Sequence, residues 1–588
     1  MLTKNQTVTL DITDINNLGC GVGRVDGIVV FVKGAVSGDR VEAKIIKVNK
    51  SFAVGKLESI ISPSENRITE EFCNAPNACG GCVYRHVTYQ HELEIKKKYV
   101  ENAFKKVGLP EVKVDEVMST GEMSGYRNKA QYPFGTVGGK TCVGFFASKT
   151  HKVIPCNVCA LQPQVFSDIC DYVCNFADEN KWSVYDEEKG SGLLRHLYIR
   201  MGKNTGEIMV CLVINGDYLT KEQEFSSSLC ERFPNVKSVL VNINKKNTNV
   251  VLGKKYRAVR GRDYIEDVLL GKRFRISAGA FYQVNHDGAE LLYSIAKQKA
   301  SEMGEIQTLL DLYCGLGTIG ISIGDEAKRT VGIEIVDEAI ACAKENAAIN
   351  GVKHAQFYCG DAGDAEKLLD NAEREGGIIA NATVIVDPPR KGLEKELINY
   401  LSKREMDRIV YVSCDPDTLA RDCAIFKELG YTIGRVTPVD MFPRTGHVET
   451  VALLSRQINV HKMKLNSTPF ELIKSGEKTI ELRLFDEKRQ KIRVGDKIVF
   501  TDNTTSETLN TTVVKLHRFN TFNELYKSLP LLKCGYTTEN VDKATPSDME
   551  QYYSVEEQRK YGVVGIELCR PEQITDESVV CLTHTFNN

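Results

Sequence analysis

Two short segments carry the residues best suited to making and breaking bonds. They are Val384-Ile-Val-Asp-Pro-Pro-Arg-Lys-Gly392 and Ile409-Val-Tyr-Val-Ser-Cys-Asp-Pro416. Each reads as a short buried strand, rich in β-branched residues, that ends in a polar loop. The first strand end offers Asp387 on a proline-stiffened loop, and the second offers the thiol of Cys414. Ligands of an open α/β sheet sit just beyond such strand ends, so this pair suits covalent chemistry beside a bound cofactor. A base candidate follows in Gly446-His-Val-Glu-Thr-Val-Ala-Leu-Leu454, where Glu449 opens an apolar strand and partial burial would raise its pKa. Taken singly, Cys414 reads as a structural cysteine and Glu449 as a strand-end surface carboxylate. Read in chain order with Asp387 and a glycine loop, they form a set.

That loop lies in Asp311-Leu-Tyr-Cys-Gly-Leu-Gly-Thr-Ile-Gly320, at the end of a buried strand. Gly315 is expected to permit the tight turn and Gly317 to let a ligand approach the backbone, a pattern that NAD enzymes, flavin enzymes and methyltransferases share. Glu334 ends the next strand, where an acid can take both hydroxyls of a ribose, and Asp361, one strand on, is placed for an adenine amine. An adenine nucleoside is implied. Nucleic-acid amino-methyltransferases resemble Asp387-Pro-Pro-Arg390 but carry an aromatic in place of Arg390, to grip an exocyclic nitrogen. With that aromatic missing and Cys414 one strand on, the substitution makes chemical sense if the target is a carbon. C5 of uracil is a poor nucleophile until a thiolate adds at C6. C5 can then take the methyl group of S-adenosylmethionine, and a base must remove its proton to free the thiol.

The 588-residue chain is too long for one core, so three or four domains are expected. Its net charge of -2 excludes a global polycation, so RNA contacts must come from local patches. No apolar run approaches the ~18 residues of a membrane span. Nineteen cysteines without an export signal argue for metal ligation, catalysis and buried filler, and for a cytoplasmic protein.

The elements that must position these residues fall into four expected domains: 1–62, 63–270, 271–458 and 459–588. The first alternates short apolar runs with glycine turns, as a small OB-like β-barrel does. The second opens with Cys73-x5-Cys79-Gly-Gly-Cys82, suited to a metal or iron–sulfur site, with Cys156 and Cys159 downstream. A helix from Tyr89 to about Val107 then shows a basic face, Lys96-Lys-Lys98 and Lys105-Lys106. Gly125-Tyr-Arg-Asn-Lys-Ala-Gln-Tyr-Pro-Phe134 opens a strand whose Arg127, Lys129 and aromatics suit phosphates and stacked bases, or a solvated basic strand. The rest of that domain reads as α/β with its own sheet. The third domain has doubly wound α/β order. The fourth carries Gly476-x-Lys478-x-x-Glu481-x-Arg483.

Phe281-Tyr-Gln-Val-Asn285, the glycine loop, Asp387-Pro-Pro-Arg-Lys-Gly392, Ser413-Cys-Asp-Pro416 and His447-Val-Glu449 together resemble the catalytic domain of the RNA (uracil-5-)-methyltransferases. The resemblance implies a Rossmann-like domain with Cys414 as nucleophile and Glu449 as base. Gln283, Glu334 and Asp387 would contact S-adenosylmethionine, Tyr313 would cover part of it, and Phe281 would stack near a flipped uracil. The N-terminal turns resemble the TRAM barrel, and the cysteines resemble the [4Fe–4S] site of the branch acting on 23S rRNA. Its ligands would be Cys73, Cys79, Cys82 and Cys159, with Cys156 as the alternative fourth. The C-terminal motif resembles ASCH domains, PUA-like β-barrels associated with RNA. The expectation is a monomeric enzyme acting on 23S rRNA. A tRNA substrate is the alternative, and an inactive RNA-binding iron–sulfur protein the reading from another class.

Overall fold

The computed structural model describes residues 2–68, 73, 79–147, 150–156, 158–302, 304–376, 382–404, 406–456, 459–493 and 495–569. The segment between Cys73 and Cys79, Val494 and the tail from 570 lie outside the described residues. The chain divides into two compact units, Met1–Arg456 and Gln457–Asn588.

In the first unit, strands Thr7–Ile15, Cys20–Val25, Ile28–Lys33, Arg40–Val48 and Phe52–Ser62 close into a barrel. Period-two alternation in the first strand turns Val8, Leu10 and Ile12 inward, where they meet Val30, Val32 and Ile45. The turn after that strand needs glycine. Gly19 has φ +69°, and a Cβ there would lie 2.4 Å from the carbonyl oxygen of Val83. The barrel is thus packed directly on the segment that follows Cys82.

Next comes a seven-stranded sheet in the order Lys255–Gly261, Val236–Ile243, Ile208–Ile214, Leu194–Met201, Lys129–Val137, Lys140–Phe146, Val153–Pro155. Helices Gln164–Glu179 and Glu222–Arg232 cover one face with Phe166, Ile169 and Phe225. Two expectations need correction here. Tyr132 and Phe134 are buried in this core, because alternate residues of a strand point to one face. They are not free to stack on bases. The helix Tyr89–Lys106 buries Val100, Ala103 and Phe104 against the next sheet, which takes Lys96 out of its basic face while Lys98, Lys105 and Lys106 stay more than half exposed. Lys96 is buried, while Lys97, Lys98 and Lys106 pair with Glu116, Asp14 and Asp417.

The third sheet holds the candidate site. Its strands are β1 (Ile306–Leu312), β2 (Ala327–Glu334), β3 (Ala355–Cys359), β4 (Thr383–Val386), β5 (Arg408–Ser413), β6 (Tyr431–Val439) and β7 (Glu449–Arg456). They lie in the order β3-β2-β1-β4-β5-β7-β6, parallel from β3 to β5. The final strand, β7, runs antiparallel between β5 and β6. Order reverses between β1 and β4, which opens a crevice at their carboxyl ends. One face shares its core with the central sheet, joining Tyr198, Met209 and Leu240 to Leu309 and Val410. That shared core makes residues 1–456 one unit.

The second unit has five strands in the order Val460–Leu465, Lys497–Asp502, Thr508–Phe519, Val563–Cys569, Ile480–Leu484. A barrel was expected, but the described strands form an open sheet. Its two edges are linked by a side chain, Arg483 donating to the Lys464 carbonyl at 3.1 Å, instead of by a backbone ladder. No described helix is long and apolar enough to cross a membrane.

Candidate functional site

The carboxyl ends of β1, β2, β4 and β5 and the start of β7 surround a cavity of about 870 Å³. It gathers Cys414, Glu449, Asp387, Glu334, Asp361, Gln283, Tyr313, Gly315 and Phe281, together with Arg127 and Lys129 from the central sheet. Register explains the pairing of the first two. Ser413 lies opposite Thr450 across the antiparallel pair, so the next step along both strands brings Cys414 opposite Glu449. Separated by 35 positions in sequence, they become neighbours because β7 inserts beside β5.

The glycine loop divides its work differently from expectation. Gly315 has φ +54° with open space where a Cβ would stand, and it lines the cavity. Gly317, at φ +77°, faces the protein, and a Cβ there would press to 3.2 Å from the Phe357 ring. Gly315 is therefore the cavity-facing glycine and Gly317 the packing one. Tyr313 holds φ +72°, a conformation that non-glycine residues rarely adopt, so the backbone at the cavity wall is strained. Glu334 accepts from the Gly315 and Val336 N–H groups at 3.2 and 3.0 Å, which fixes its carboxylate at the end of β2. Asp361 accepts from the Gly363 N–H at 2.8 Å and stands exposed at the cavity edge.

Burial sets the electrostatics. Glu449 is 4 % exposed, and desolvation, with Asp387 beside it, pushes its pKa up to about 8 against a smaller pull from Arg390. Burial alone raises Asp387 to about 7. Cys414 is pushed up to about 11 by burial and then by Glu449 and Asp387, with Arg390 opposing. Three acids of like charge crowd one space, so their protons come off as a coupled set. A cationic ligand beside Asp387 would relieve that crowding and favour the ionised forms. Lys129 is pulled down to about 8 by burial and then by Arg200 and Arg127.

Several residues at the site went unread in the sequence. Tyr293, buried in the helix His286–Ser301, shares hydrogen bonds with Thr318, at 3.4 Å, and Gln283. It ties the glycine-loop helix to the expected cofactor contact. Phe442 lies between the Arg127 guanidinium, 5.9 Å from its ring centre, and the His447 ring at 6.1 Å. Its spacing from Glu449 gave no signal. Phe281, by contrast, was expected at the site, and it is 65 % exposed, a bare aromatic at the cavity mouth. Asn128 clamps the segment after it, donating to the Gln283 carbonyl at 3.0 Å.

The four expected sulfur ligands, Cys73, Cys79, Cys82 and Cys159, and the alternative Cys156 lie near enough elsewhere in the first unit to shift one another's ionisation. Cys82 is raised to about 12 by burial, then by Cys159, Cys73 and Cys79, and Cys156 to about 12 by burial, then by Cys159, Cys73 and Cys79. The donor chemistry suits iron–sulfur or zinc. Among the described residues, however, no three His, Cys, Asp or Glu side chains are arranged to hold a metal ion. In the second unit, a cavity of about 580 Å³ has Glu481 at its floor, with Lys478 and Arg483 each 2.8 Å from its carboxylate.

Residues 88–457 match the family model of tRNA (uracil-5-)-methyltransferase. Residues 2–57 match the TRAM domain and 463–572 the ASCH domain. An uncharacterised RNA methyltransferase of Clostridium acetobutylicum is 41 % identical over 456 residues, 77 % of this chain and 98 % of that one. Another, from Halalkalibacterium halodurans, is 39 % identical over 454 residues, 77 % of this chain and 98 % of that one. Among solved structures, the Pyrococcus abyssi tRNA (uracil-54, C5)-methyltransferase in complex with S-adenosyl-L-homocysteine aligns with a TM-score of 0.60 at 26 % identity. It covers 76 % of this chain and 100 % of that chain.

Proposed function

The chain belongs to the tRNA (uracil-5-)-methyltransferase family, and on that premise we propose that it methylates C5 of a uridine in 23S rRNA through a covalent Cys414–C6 adduct. It is an S-adenosylmethionine-dependent RNA methyltransferase carrying TRAM and ASCH domains. The observation that carries the proposal is the pairing of Cys414 with Glu449 across β5 and β7, over a cavity that also holds Asp387.

Phe281 stacks on the extruded base at the cavity mouth, offsetting the few kcal/mol that flipping costs. Arg127 and Lys129 hold its phosphate flanks. Glu334 would hold the ribose hydroxyls and Asp361 the adenine, with Gly315 and Tyr313 lining the same part of the cavity. Gln283 and Asp387 would hold the sulfonium end. S-adenosylmethionine supplies an electrophilic methyl group and a positive charge. Cys414 thiolate adds at C6, and the pair of electrons displaced from C5=C6 makes C5 nucleophilic. C5 then takes the methyl group, whose bond to the sulfonium breaks with the electron pair left on sulfur as a neutral thioether. Glu449 takes the C5 proton, the C5=C6 bond re-forms, and the C6–S bond breaks to return Cys414.

The proposed [4Fe–4S] cluster would use Cys73, Cys79, Cys82 and Cys159. Support comes from the donor chemistry and from the influence of these thiols on one another, whereas no three of the described side chains are arranged to hold a metal ion, and the methyl transfer needs no electron from the cluster. Its role would be structural, and the protein cytoplasmic and monomeric. The family and solved-relative names favour a second reading, in which the substrate is a tRNA uridine. Incubating the protein with labelled S-adenosylmethionine and unmodified rRNA or tRNA, followed by nucleoside analysis, decides. 5-Methyluridine from rRNA alone supports the first reading. Label in tRNA alone replaces the substrate, and label in neither defeats both.

A further inference from the structure

Residues Asp440–Val448 join β6 to β7 and deliver Glu449. A connection between strands ordinarily runs over the surface. Here Asp440, Met441, Arg444 and Thr445 are each 5 % exposed or less. Four consecutive carbonyls along it are each gripped by a different segment. Asn285 donates to Met441 at 3.1 Å, Lys96 to Phe442 at 3.2 Å, the Tyr126 hydroxyl to Pro443 at 2.9 Å and the Tyr84 N–H to Arg444 at 3.1 Å. The barrel closes the far side: a Cβ on Gly446 would lie 1.8 Å from the Asn17 carbonyl oxygen.

Beneath this segment sit four buried charges. Lys96 lies 2.7 Å from both Glu92 and Asp440, and Tyr89 donates to Asp440 at 2.8 Å. Arg444, at φ +71°, gives its backbone N–H to Glu92 at 2.7 Å, while its guanidinium donates to the Val87 carbonyl at 2.8 Å and lies 3.5 Å from the Glu92 carboxylate. Two cations and two anions, each 3 % exposed or less, balance in charge. Burying such a group is poor evidence for stability, and its best-attested use is to fix register. The register fixed here belongs to the one segment that ends in the base.

We propose that Arg444 is a positioning residue for the reaction, which with Glu92, Lys96 and Asp440 locks the Asp440–Val448 segment so that Glu449 stands opposite Cys414. This rests on the reading of Cys414 as nucleophile and Glu449 as base. The nucleophile rides on β5 and the base on β7, so loosening the segment spares adduct formation and methyl transfer. It slows proton removal from C5, the step that lets the C5=C6 bond re-form and the C6–S bond break. A displacement of about 1 Å at a reacting group is enough for a roughly 100-fold loss.

The test uses the full chain, with Arg444→Lys, which keeps the charge but not the fork, and Lys96→Met, which keeps the stem but not the charge. Expected for both are S-adenosylmethionine affinity within about threefold of wild type and single-turnover methylation, with an RNA–protein adduct that survives denaturing gels. Steady-state turnover should fall roughly 100-fold, and its pH profile should move. Glu449→Gln serves as the calibration and should trap the same adduct. If it traps none, the base assignment itself fails, and the positioning role with it. If it traps adduct while Arg444→Lys and Lys96→Met turn over like wild type, the positioning role alone is overturned. Loss of cofactor binding and adduct together in both variants would show that these residues hold the fold and not the base, which also overturns it.

Discussion

Each unit of this protein has a cavity with a buried glutamate near the start of a strand, and the two glutamates behave in opposite ways. Glu449 is 4 % exposed and Glu481 is 3 % exposed. Glu449 has a carboxylate and a thiol for neighbours and is pushed up to about 8. Glu481 lies between Lys478 and Arg483, whose attraction outweighs burial and holds it below the usual carboxylate range. Burial therefore identifies neither as catalytic. The neighbours decide: an uncompensated acid is poised to take a proton near neutral pH, and a clamped one is a permanent anion.

The sharpest way to break the comparison is at the nucleophile. Cys414→Ala should abolish methyl incorporation, by roughly 10⁴-fold or more, while S-adenosylmethionine still binds. Retained incorporation would end the covalent mechanism. Next in size, Glu449→Gln should cut turnover roughly 10³-fold and accumulate adduct. Glu481→Gln should instead act on stability. Removing one member of a buried ion cluster costs about 3 kcal/mol, so exchange protection of the Ile480–Leu484 strand should drop while cofactor affinity in the first unit is unchanged. Unaltered protection would mean that the clamp holds nothing. Phe281→Ala should be milder, raising KM for RNA about tenfold through lost stacking, with a smaller change in kcat.

The two glutamates also predict opposite pH dependences. The folded pKa of Glu449 lies above its unfolded value, so its contribution to stability is complete below about pH 4.5 and is lost as pH rises through about 8. Asp387 acts likewise through about 7. The first unit should soften from about pH 5 to about pH 9, the window in which turnover rises as the base ionises. Glu481 is depressed, so its contribution is present above the unfolded value and lost on acidification through the folded one. Thermal melts of wild type and Glu449→Gln across pH test the first slope, which the variant should flatten.

The strand-end chemistry was legible because it is local: Asp387, Cys414 and Glu334 each stand where a short β-branched run stops. The partnership of Cys414 with Glu449 was legible only as a set of types. Its geometry depends on β7 entering between β5 and β6, which no local pattern announces. Lys96 shows the limit most plainly. In a run of three lysines it reads as solvated, yet its helix packs on the third sheet and turns that one lysine toward Glu92 and Asp440. Tyr132 and Phe134 misled in the other direction, since aromatics beside cations suggested an RNA face while strand alternation sent them inward. Tyr293 resembles core in an alanine- and leucine-rich helix, and only its hydroxyl partners distinguish it. The roles of Gly315 and Gly317 turned on Phe357, forty residues away from Gly317 in sequence.

The close fit of Gly446 against Asn17 bears on how such a protein can be recombined. A barrel grafted from another chain would arrive with its own turn in place of Asn16–Cys20. Any outward shift of that turn would be felt first by the loop leading to Glu449. A chain carrying a different barrel would need a loop before Glu449 fitted to that barrel's own turn, so the N-terminal module and the segment leading to Glu449 constrain each other.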